Sequence, residues 1–394
     1  MSKRTSKTPS TGGLHGRKDR QKTRNRRLRR IRNTVFGIFA ALLLLVGTGY
    51  GVGFLTPWGN RTRIVLAETI VSTRHYYLAK YITTNKEYHT LRAQLSKTVK
   101  DSSVPVTGQI SASSPSPKIT PSTPAQAGSV QPSNGTTGLS RTPVKKVKNV
   151  EIKRISGKGY NGFVMLVHNP KTIRLVHAQI LNGKGEYITH MAKRIGAVAG
   201  VNASGFLDPK GNGWGAKAYG LEYVGGQVLH GLNNGYGMVT VGFTKAGKML
   251  LGKYNSQQLQ HLGIQDAMQF MPELVVDGKP MITHGDGGWG YGPRTAVGQT
   301  KDGTVIFVVI NGRFHGGSGM GASQRQVMNI MLQYGAVNAC AMDGGSSSVL
   351  YSKGKILNSP STIDPNGQRH LPDAWLVFPS ASAAQSYHVN SSSN

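Results

Sequence analysis

The chain has 394 residues, of which 47 are Lys or Arg and 16 are Asp or Glu, so its formal net charge is +31. This length allows one or two folded domains. A basic chain is compatible with nucleic-acid binding, but the sequence holds no nucleic-acid-binding motif and its densest charge adjoins an apolar run, so we expect no nucleic acid as a partner. The lone Cys340 excludes an intrachain disulfide and a zinc site built from several cysteines, and its apolar neighbours predict a buried thiol.

The first 56 residues predict a membrane anchor. Residues 1–33 carry 13 Lys or Arg and one acid, and the run 35–55 has no charge. A helix over this run is about 31 Å long, close to the hydrocarbon thickness of a bilayer. We therefore predict a transmembrane signal-anchor helix over 34–56, with 1–33 in the cytoplasm and the rest outside the cell membrane. A cleaved signal peptide is the alternative, but the long basic segment and the lack of a small-residue cleavage site favour the anchor.

The next two segments differ sharply in composition. Apolar residues recur at helical spacing after the anchor, which predicts a helical juxtamembrane stalk over 57–101, with an aromatic patch around residues 76–81 as a self-association surface. The solvated helical spacer is the alternative. Residues 102–145 are rich in Ser, Thr and Pro, which predicts a disordered linker. A similar composition predicts a flexible tail over 381–394.

The segment between linker and tail, 146–380, predicts one globular domain. Short apolar runs are separated by turn residues such as Gly-Gly, Asp-Gly and Lys-Ala-Gly, and these predict hairpins. Residues 190–200 and 321–336 carry helical patterns. We predict an α+β fold, with a mixed, largely antiparallel sheet and a few flanking helices, preceded by one transmembrane helix and a disordered linker.

One stretch near the C-terminus predicts a functional site. The apolar run 336–342 ends at Asp343, and Gly344, Gly345, Ser346 and Ser347 follow before a second apolar run. This pattern predicts a buried strand, a tight turn and another strand, with Asp343 facing a cleft and the N–H groups of the turn forming an anion-binding nest. An ordinary Asp-Gly hairpin turn is the alternative.

Other polar residues fall at the ends of predicted strands, where a rigid sheet presents them together. They are Asn202, Ser204, Arg294, Arg313, His315 and Arg369. The two arginines Arg294 and Arg313 open and close one hairpin, so both reach the same end of the sheet. Glu222 is a reserve carboxylate that lies within a strand, for which we predict an exposed structural role.

Taken in order, these motifs resemble the phosphodiester glycosidase (NAGPA-type, uncovering-enzyme-like) domain family. The matching pieces are Asn202 to Phe206, Pro293 to Gly298, Ile310 to Arg313, Met342 to Ser347, Asn358 to Pro360, and Arg369. The resemblance covers roughly residues 150–380 and implies a bacterial, membrane-anchored member. Two positions depart from the family pattern: Asn311 stands where an Asp is usual, and Ala341 stands where an Asn is common.

The resemblance implies hydrolysis of a glycosyl–phosphate bond. A phosphate monoester leaves without a general acid because its second pKa is about 6, so the site needs cations and N–H donors more than a second carboxylate. We expect Asp343 as nucleophile or base and Arg294 and Arg313 as the catalytic cations. Asn202, Ser204, His315, Arg369 and the turn residues 344–347 are expected to bind substrate, a phosphodiester-linked glycan such as an exopolysaccharide or cell-wall polymer.

Two other functional classes stay open. A serine hydrolase using Ser346 or Ser347 lacks the Gly-x-Ser-x-Gly motif and an evident His partner. A glycan- or protein-binding module without catalysis fits the departures at Asn311 and Ala341. We expect no cofactor and no metal, although a calcium site built from backbone carbonyls leaves little trace in a sequence.

Overall fold

The computed structural model describes most of the chain between residues 46 and 389. The described residues are 32–34, 36–38, 41, 44, 46–71, 76–101, 143–147, 149–208, 212–231, 238–312, 319–362 and 364–389. The chain divides into two compact units, 1–65 and 66–394.

In the first unit, residues 46–55 are helical. The Arg63 guanidinium lies 3.9 Å from the centre of the Phe54 ring. None of the helices among the described residues combines the length and apolar character that a membrane crossing requires. Part of the span predicted at 34–56 lies outside the described residues, namely Val35, Phe39, Ala40, Leu42, Leu43 and Leu45.

Most of the described residues in the segment predicted as a helical stalk, 57–101, are helical, and residues 72–75 lie outside the described residues. The segment contains α1 (Pro57–Val71), a 3-10 helix (Tyr76–Tyr81) and α2 (Asn85–Asp101). A small apolar cluster joins them, formed by Ala67, Val71, Ala79, Tyr88 and Leu91. The patch on the 3-10 helix is exposed, as expected, with Tyr81 at 79% exposure.

The end of α1 is not a free spacer. The Thr69 hydroxyl accepts a hydrogen bond from the Tyr291 N–H at 3.2 Å. A Cβ added to Gly290 would lie 2.5 Å from the Thr69 backbone, so the two backbones are in close contact. Residues 66–71 thus pack on a loop of the globular domain, which a solvated spacer does not do.

The domain core starts from an eight-stranded sheet in the order β1-β2-β3-β14-β13-β15-β11-β12. Its strands are β1 (Pro143–Val147), β2 (Val150–Gly157), β3 (Tyr160–Val167), β11 (Glu273–Val276), β12 (Lys279–Pro280), β13 (Thr295–Thr300), β14 (Val305–Ile310) and β15 (Ala336–Met342).

Two five-stranded sheets complete the fold, in the orders β7-β6-β10-β8-β9 and β17-β16-β5-β18-β4. Their strands are β4 (Ile173–His177), β5 (Ala199–Asn202), β6 (Glu222–Val224), β7 (Gln227–His230), β8 (Val239–Thr244), β9 (Met249–Gly252), β10 (Ile264–Phe270), β16 (Leu350–Ser352), β17 (Lys355–Ile356) and β18 (Asp373–Val377). Helices α3 (Ile188–Ile195), α4 (Ser256–His261), α5 (Gln324–Gln333) and α6 (Ala381–Gln385) flank the sheets.

Alternation along the strands buries both faces of the large sheet. On β14, Phe307 points into a core shared with Trp375 and Phe243 of the smaller sheets. The next residue, Val308, points to the other face, where Met331 of α5 covers it. Because each apolar side chain has a partner on its own face, the sheet carries β15 and its C-terminal turn as a rigid support.

Every named strand pair in the described part of the chain is antiparallel, so the predicted fold class is confirmed in its α+β, antiparallel character. The predicted hairpins β6–β7, β8–β9, β11–β12 and β13–β14 are present. Helix α5 matches its pattern and begins at a capping box formed by Ser323 and Gln326.

The predicted ends of the domain differ from the structure. Strand β1 pairs with β2 and includes residues assigned to the linker, whose positions 102–142 lie outside the described residues. The predicted flexible tail contains α6, whose Ala384 is fully buried. The Tyr387 hydroxyl accepts from the His177 N–H at 3.2 Å. The buried Ala384 and the hydrogen bond of Tyr387 tie this segment to the domain, although it looks featureless by composition.

Candidate functional site

The predicted turn lies at the end of β15, between the buried end of that strand and Ser347. Asp343 is half-buried and its N–H donates to the Ala203 carbonyl at 3.2 Å. Its own carbonyl accepts from the Asn202 side-chain amide at 2.7 Å. The backbone of Asp343 is therefore held on both sides, by the last residue of β5 and by the residue after it.

The Asp343 carboxyl has a perturbed acidity. Burial raises the pKa of Asp343 from 3.8 to about 6, although the Ser347 hydroxyl, the Arg369 charge and the Gly344 N–H act in the opposite direction. This group is mostly ionised at pH 7, which suits a base or a nucleophile better than an acid.

The predicted anion nest is largely occupied by the protein itself. The Gly345 N–H donates to the Pro293 carbonyl at 2.9 Å, and the Ser347 N–H donates to the Gly344 carbonyl at 3.2 Å. Residues Gly345–Ser347 form a 3-10 turn that closes these bonds. The glycines instead permit close packing, since a Cβ on Gly344 would lie 2.9 Å from the Pro293 carbonyl oxygen.

Arg369 is the cation that reaches the turn. Its Nη1 donates to the Ser346 hydroxyl at 2.8 Å, and its Nη2 donates to the Asp208 carboxylate at 3.2 Å. Its guanidinium carbon lies 4.5 Å from the centre of the Phe206 ring. These contacts fix the guanidinium at the turn, where its charge acts on the Asp343 carboxyl. The Ser346 hydroxyl thus accepts from an arginine, and no histidine among the described residues bonds to it.

Arg294 lies near the turn, but its guanidinium points into the protein. Its Nε donates to the Ala322 carbonyl at 3.1 Å, and its Nη2 donates to the Trp289 and Gly290 carbonyls at 2.8 Å. The side chain is 9% exposed. We expected Arg294 to act as a catalytic cation, but in this geometry its guanidinium binds backbone carbonyls and holds the loop that leads into β13.

Asn202 and Ser204 are buried behind the turn, so the expectation that they bind substrate directly is corrected. The Asn202 carbonyl oxygen accepts from the Thr295 hydroxyl at 2.8 Å and from the Val349 N–H at 3.1 Å. The Ser204 hydroxyl bonds to the Asp373 carboxyl at 2.6 Å. Both side chains are buried and bonded to neighbouring elements of the protein.

A buried polar cluster extends from Ser204. Burial, reinforced by the Glu222 charge, raises the pKa of Asp373 to about 8. Burial also raises the pKa of Glu222, which lies 2.8 Å from the His177 ring nitrogen. The expectation of an exposed Glu222 is wrong, since it is 1% exposed. His177, Glu222 and Asp373 thus form a cluster from three strands that are far apart in sequence. The sequence analysis did not predict this cluster, and its one signal in the sequence is that all three residues lie at strand ends.

Two predicted site residues, Arg313 and His315, lie outside the described residues. The two residues that depart from the family pattern, Asn311 and Ala341, both have structural roles in this chain. Asn311 accepts from the Ser359 N–H at 2.9 Å and also donates to the Asn161 side chain. Ala341 is fully buried.

Cys340 is fully buried, as predicted, and burial raises the pKa of its thiol. Among the described residues, no group of three or more His, Cys, Asp or Glu side chains is arranged to hold a metal ion. The expectation that the protein uses no cofactor and no metal stays a prediction.

Residues 195–378 match the family model of the phosphodiester glycosidases (NAGPA), which confirms the resemblance over this segment. The SPbeta prophage-derived uncharacterized protein YomE of Bacillus subtilis (strain 168) is 31% identical over 185 residues, which are 45% of this chain and only 27% of that protein.

Two solved structures are also similar. The catalytic domain of zebrafish N-acetylglucosamine-1-phosphodiester alpha-N-acetylglucosaminidase, auto-inhibited by its pro-peptide, has a TM-score of 0.48 and 18% identity, over 62% of this chain and 89% of that one. A hypothetical protein from Synechocystis has a TM-score of 0.48 and 14% identity, over 61% of this chain and 64% of that one.

Proposed function

We propose that residues 195–378, the segment that matches the phosphodiester glycosidases, hydrolyse the glycosyl–phosphate bond of a sugar-1-phosphodiester in a cell-surface or exported polysaccharide. The observation that carries this proposal is the presence of one carboxyl group, Asp343, and one guanidinium, Arg369, at a single turn, where Arg369 bonds to Ser346. The Asp343 carboxyl has a pKa of about 6, and the charge of Arg369 acts on it directly.

The proposed reaction uses the two groups differently. Water adds to the anomeric carbon as the bond from that carbon to the phosphate oxygen breaks, and the phosphate monoester leaves with the electron pair. In this reaction Arg369 neutralises the leaving phosphate through its N–H groups. Asp343 takes the proton from water, or attacks the anomeric carbon itself before water releases the sugar.

Arg294 has a positioning role in this proposal. It donates to the carbonyls of Trp289 and Gly290 and so holds the loop next to the turn. A lysine at this position cannot reproduce several directed N–H donors. We therefore expect Arg294→Lys to lower turnover by loosening this loop, without a change in the pKa of Asp343.

The alternative is a glycan-binding module without catalysis. It is favoured by the structural use of Asn311, where the family usually has an Asp, and by the ion pair between Arg369 and Asp208 at 3.2 Å. Turnover discriminates between the two functions. The full-length protein is incubated with a panel of aryl sugar-1-phosphodiesters, and the products are followed by phosphorus NMR.

If the proposal is right, the products are free sugar and an aryl phosphate monoester. Release of a sugar phosphate would instead identify a phosphodiesterase that cuts the other ester bond. Binding of the diesters with no product over the whole panel would favour the binding module.

We further propose that the domain acts outside the cell membrane, anchored by residues 34–56. This rests on the basic segment 1–33 and the uncharged run 35–55. Protease added to intact cells should release a soluble fragment cut within 102–142. A domain that stays protected while residues 1–33 are cut would reverse this orientation.

A further inference from the structure

The indole of Trp214 is presented on an unusually close-packed backbone. The Trp214 carbonyl accepts from the Gly185 N–H at 2.7 Å. A Cβ on Gly215 would lie 2.1 Å from the His370 carbonyl oxygen, and one on Gly185 would lie 2.2 Å from the Gly215 carbonyl oxygen. These contacts leave no room for a side chain at Gly185 or Gly215, yet the Trp214 residue itself is 41% exposed. A large, exposed apolar ring on a rigid support is typical of a binding surface.

This ring adjoins the Asp343 site through one residue. The Gly213 N–H donates to both oxygens of Asp208, at 3.2 and 3.1 Å. A Cβ on Gly213 would lie 3.1 Å from the Arg369 Nε atom. Because Arg369 also bonds to Ser346, the surface that carries Trp214 continues directly from the turn beside Asp343.

A cation accompanies the ring. The Lys184 ammonium lies 5.3 Å from the centre of the Trp214 ring. A Cβ added to Gly183 would lie 3.9 Å from the same ring, so this glycine also lies close to the indole. Two exposed leucines belong to the neighbouring segments, Leu181 at 70% and Leu207 at 47% exposure. The surface therefore combines an apolar platform with a positive charge.

We propose that Trp214 and Lys184 form a second glycan subsite, and that the substrate is an anionic polymer whose sugars are joined by repeated phosphodiesters. The apolar C–H face of a sugar ring stacks on an indole, and the next phosphate of such a polymer needs a cation, which Lys184 supplies. The Lys and Arg residues of 146–394 number 23 against 12 acids, which adds a general attraction for a polyanion. The inference rests on the proposed function, since it extends the same site.

The test measures binding by calorimetry in the Asp343→Asn background, so that no substrate is consumed. The full-length protein in detergent is titrated with an oligomer of three or more sugars joined by 1-phosphodiesters, and with a small aryl sugar phosphodiester. We expect Trp214→Ala to weaken binding of the oligomer about tenfold, and at least several times more than binding of the small diester. Trp214→Phe retains a ring and should restore most of the affinity.

Lys184→Gln should weaken binding of the oligomer and reduce its dependence on salt. The matched control is Tyr81→Ala, which removes another exposed aromatic side chain and should leave both affinities unchanged. Thermal melts confirm that each variant is folded.

The inference is overturned if Trp214→Ala binds the oligomer as tightly as its parent, if it loses both ligands equally, or if the parent does not bind the oligomer. Failure of the proposed function gives a different result. In that case the chain with Asp343 intact cleaves no diester, while binding of the oligomer that depends on Trp214 persists.

Discussion

The side-chain amide of Asn202 donates a 2.7 Å hydrogen bond to the backbone carbonyl of Asp343. The same side chain accepts from the Val349 N–H, on the far side of the turn. One fully buried amide therefore closes the turn that carries the central carboxyl group. This relationship makes Asn202 a supporting residue of the site rather than a ligand for the sugar.

Asn202→Ala should destabilise the domain strongly. It leaves the Val349 N–H and the Asp343 carbonyl buried without partners, and each such loss costs roughly 1–3 kcal/mol. We expect a fall of about 2–4 kcal/mol in the free energy of unfolding, measured by urea denaturation. Thr295→Val is the matched variant, because it removes only one bond to Asn202 and should cost about 1 kcal/mol. Equal stability of Asn202→Ala and the natural chain would contradict this role.

The pH dependence of turnover should follow Asp343. Its pKa of about 6 predicts that kcat/KM rises with pH through about 6 and then levels off, because the ionised form is active. Arg369 lowers this pKa by its charge, so Arg369→Gln should move the rise to higher pH as well as lower the activity. Lys355→Gln, which removes an exposed cation from β17, is the control and should leave the midpoint in place. A midpoint that stays constant in Arg369→Gln would disprove the electrostatic link.

The stability of the domain should fall as pH rises. The pKa of Asp373 is raised from 3.8 to about 8, so the folded protein keeps a proton that the unfolded chain has released. Between about pH 4 and pH 8 the folded state binds more protons than the unfolded state, and the free energy of unfolding decreases with pH. Asp373→Asn does not titrate and should flatten this slope, as measured by urea denaturation at several pH values. An unchanged slope would show that Asp373 is ionised in the folded protein.

The acid pair Glu68 and Asp286 should affect stability at higher pH. Burial and the charge of Asp286 raise the pKa of Glu68 to about 7. Above this pH Glu68 is ionised, and the charge of Asp286 repels its carboxylate where α1 packs on the loop. Glu68→Gln should therefore raise Tm at about pH 8. At about pH 5 it should not, because Glu68 is then protonated in the folded chain and, in part, in the unfolded chain. Asp286→Asn should reproduce the gain at high pH, and a gain from neither variant would rule out the repulsion.

The sequence predicted the local features of this fold well and its long-range pairs poorly. The hairpin β13–β14 follows from its turn, in which Asp302 accepts from the Thr304 N–H at 3.1 Å. Such turns are encoded within a few residues. The bond between Ser204 and Asp373 joins residues 169 positions apart, and no local pattern encodes it.

The sequence likewise did not predict how the side chains of the site residues are oriented. Arg294 stands at the predicted strand end, but the loop before it presents carbonyls that its guanidinium binds. The place of Asp343 was predicted correctly because an apolar strand, an acid and two glycines determine it locally.

The most direct test of the account is turnover of an aryl sugar-1-phosphodiester by the Asp343→Asn variant, compared with the natural chain. Asp364→Asn, which changes another partly exposed acid, is the matched control. The account predicts that Asp343→Asn lowers kcat by on the order of 10²-fold or more, with binding of the diester preserved, while the control stays within a few-fold. Near-full activity of Asp343→Asn would contradict the assignment of this carboxyl group to the chemistry.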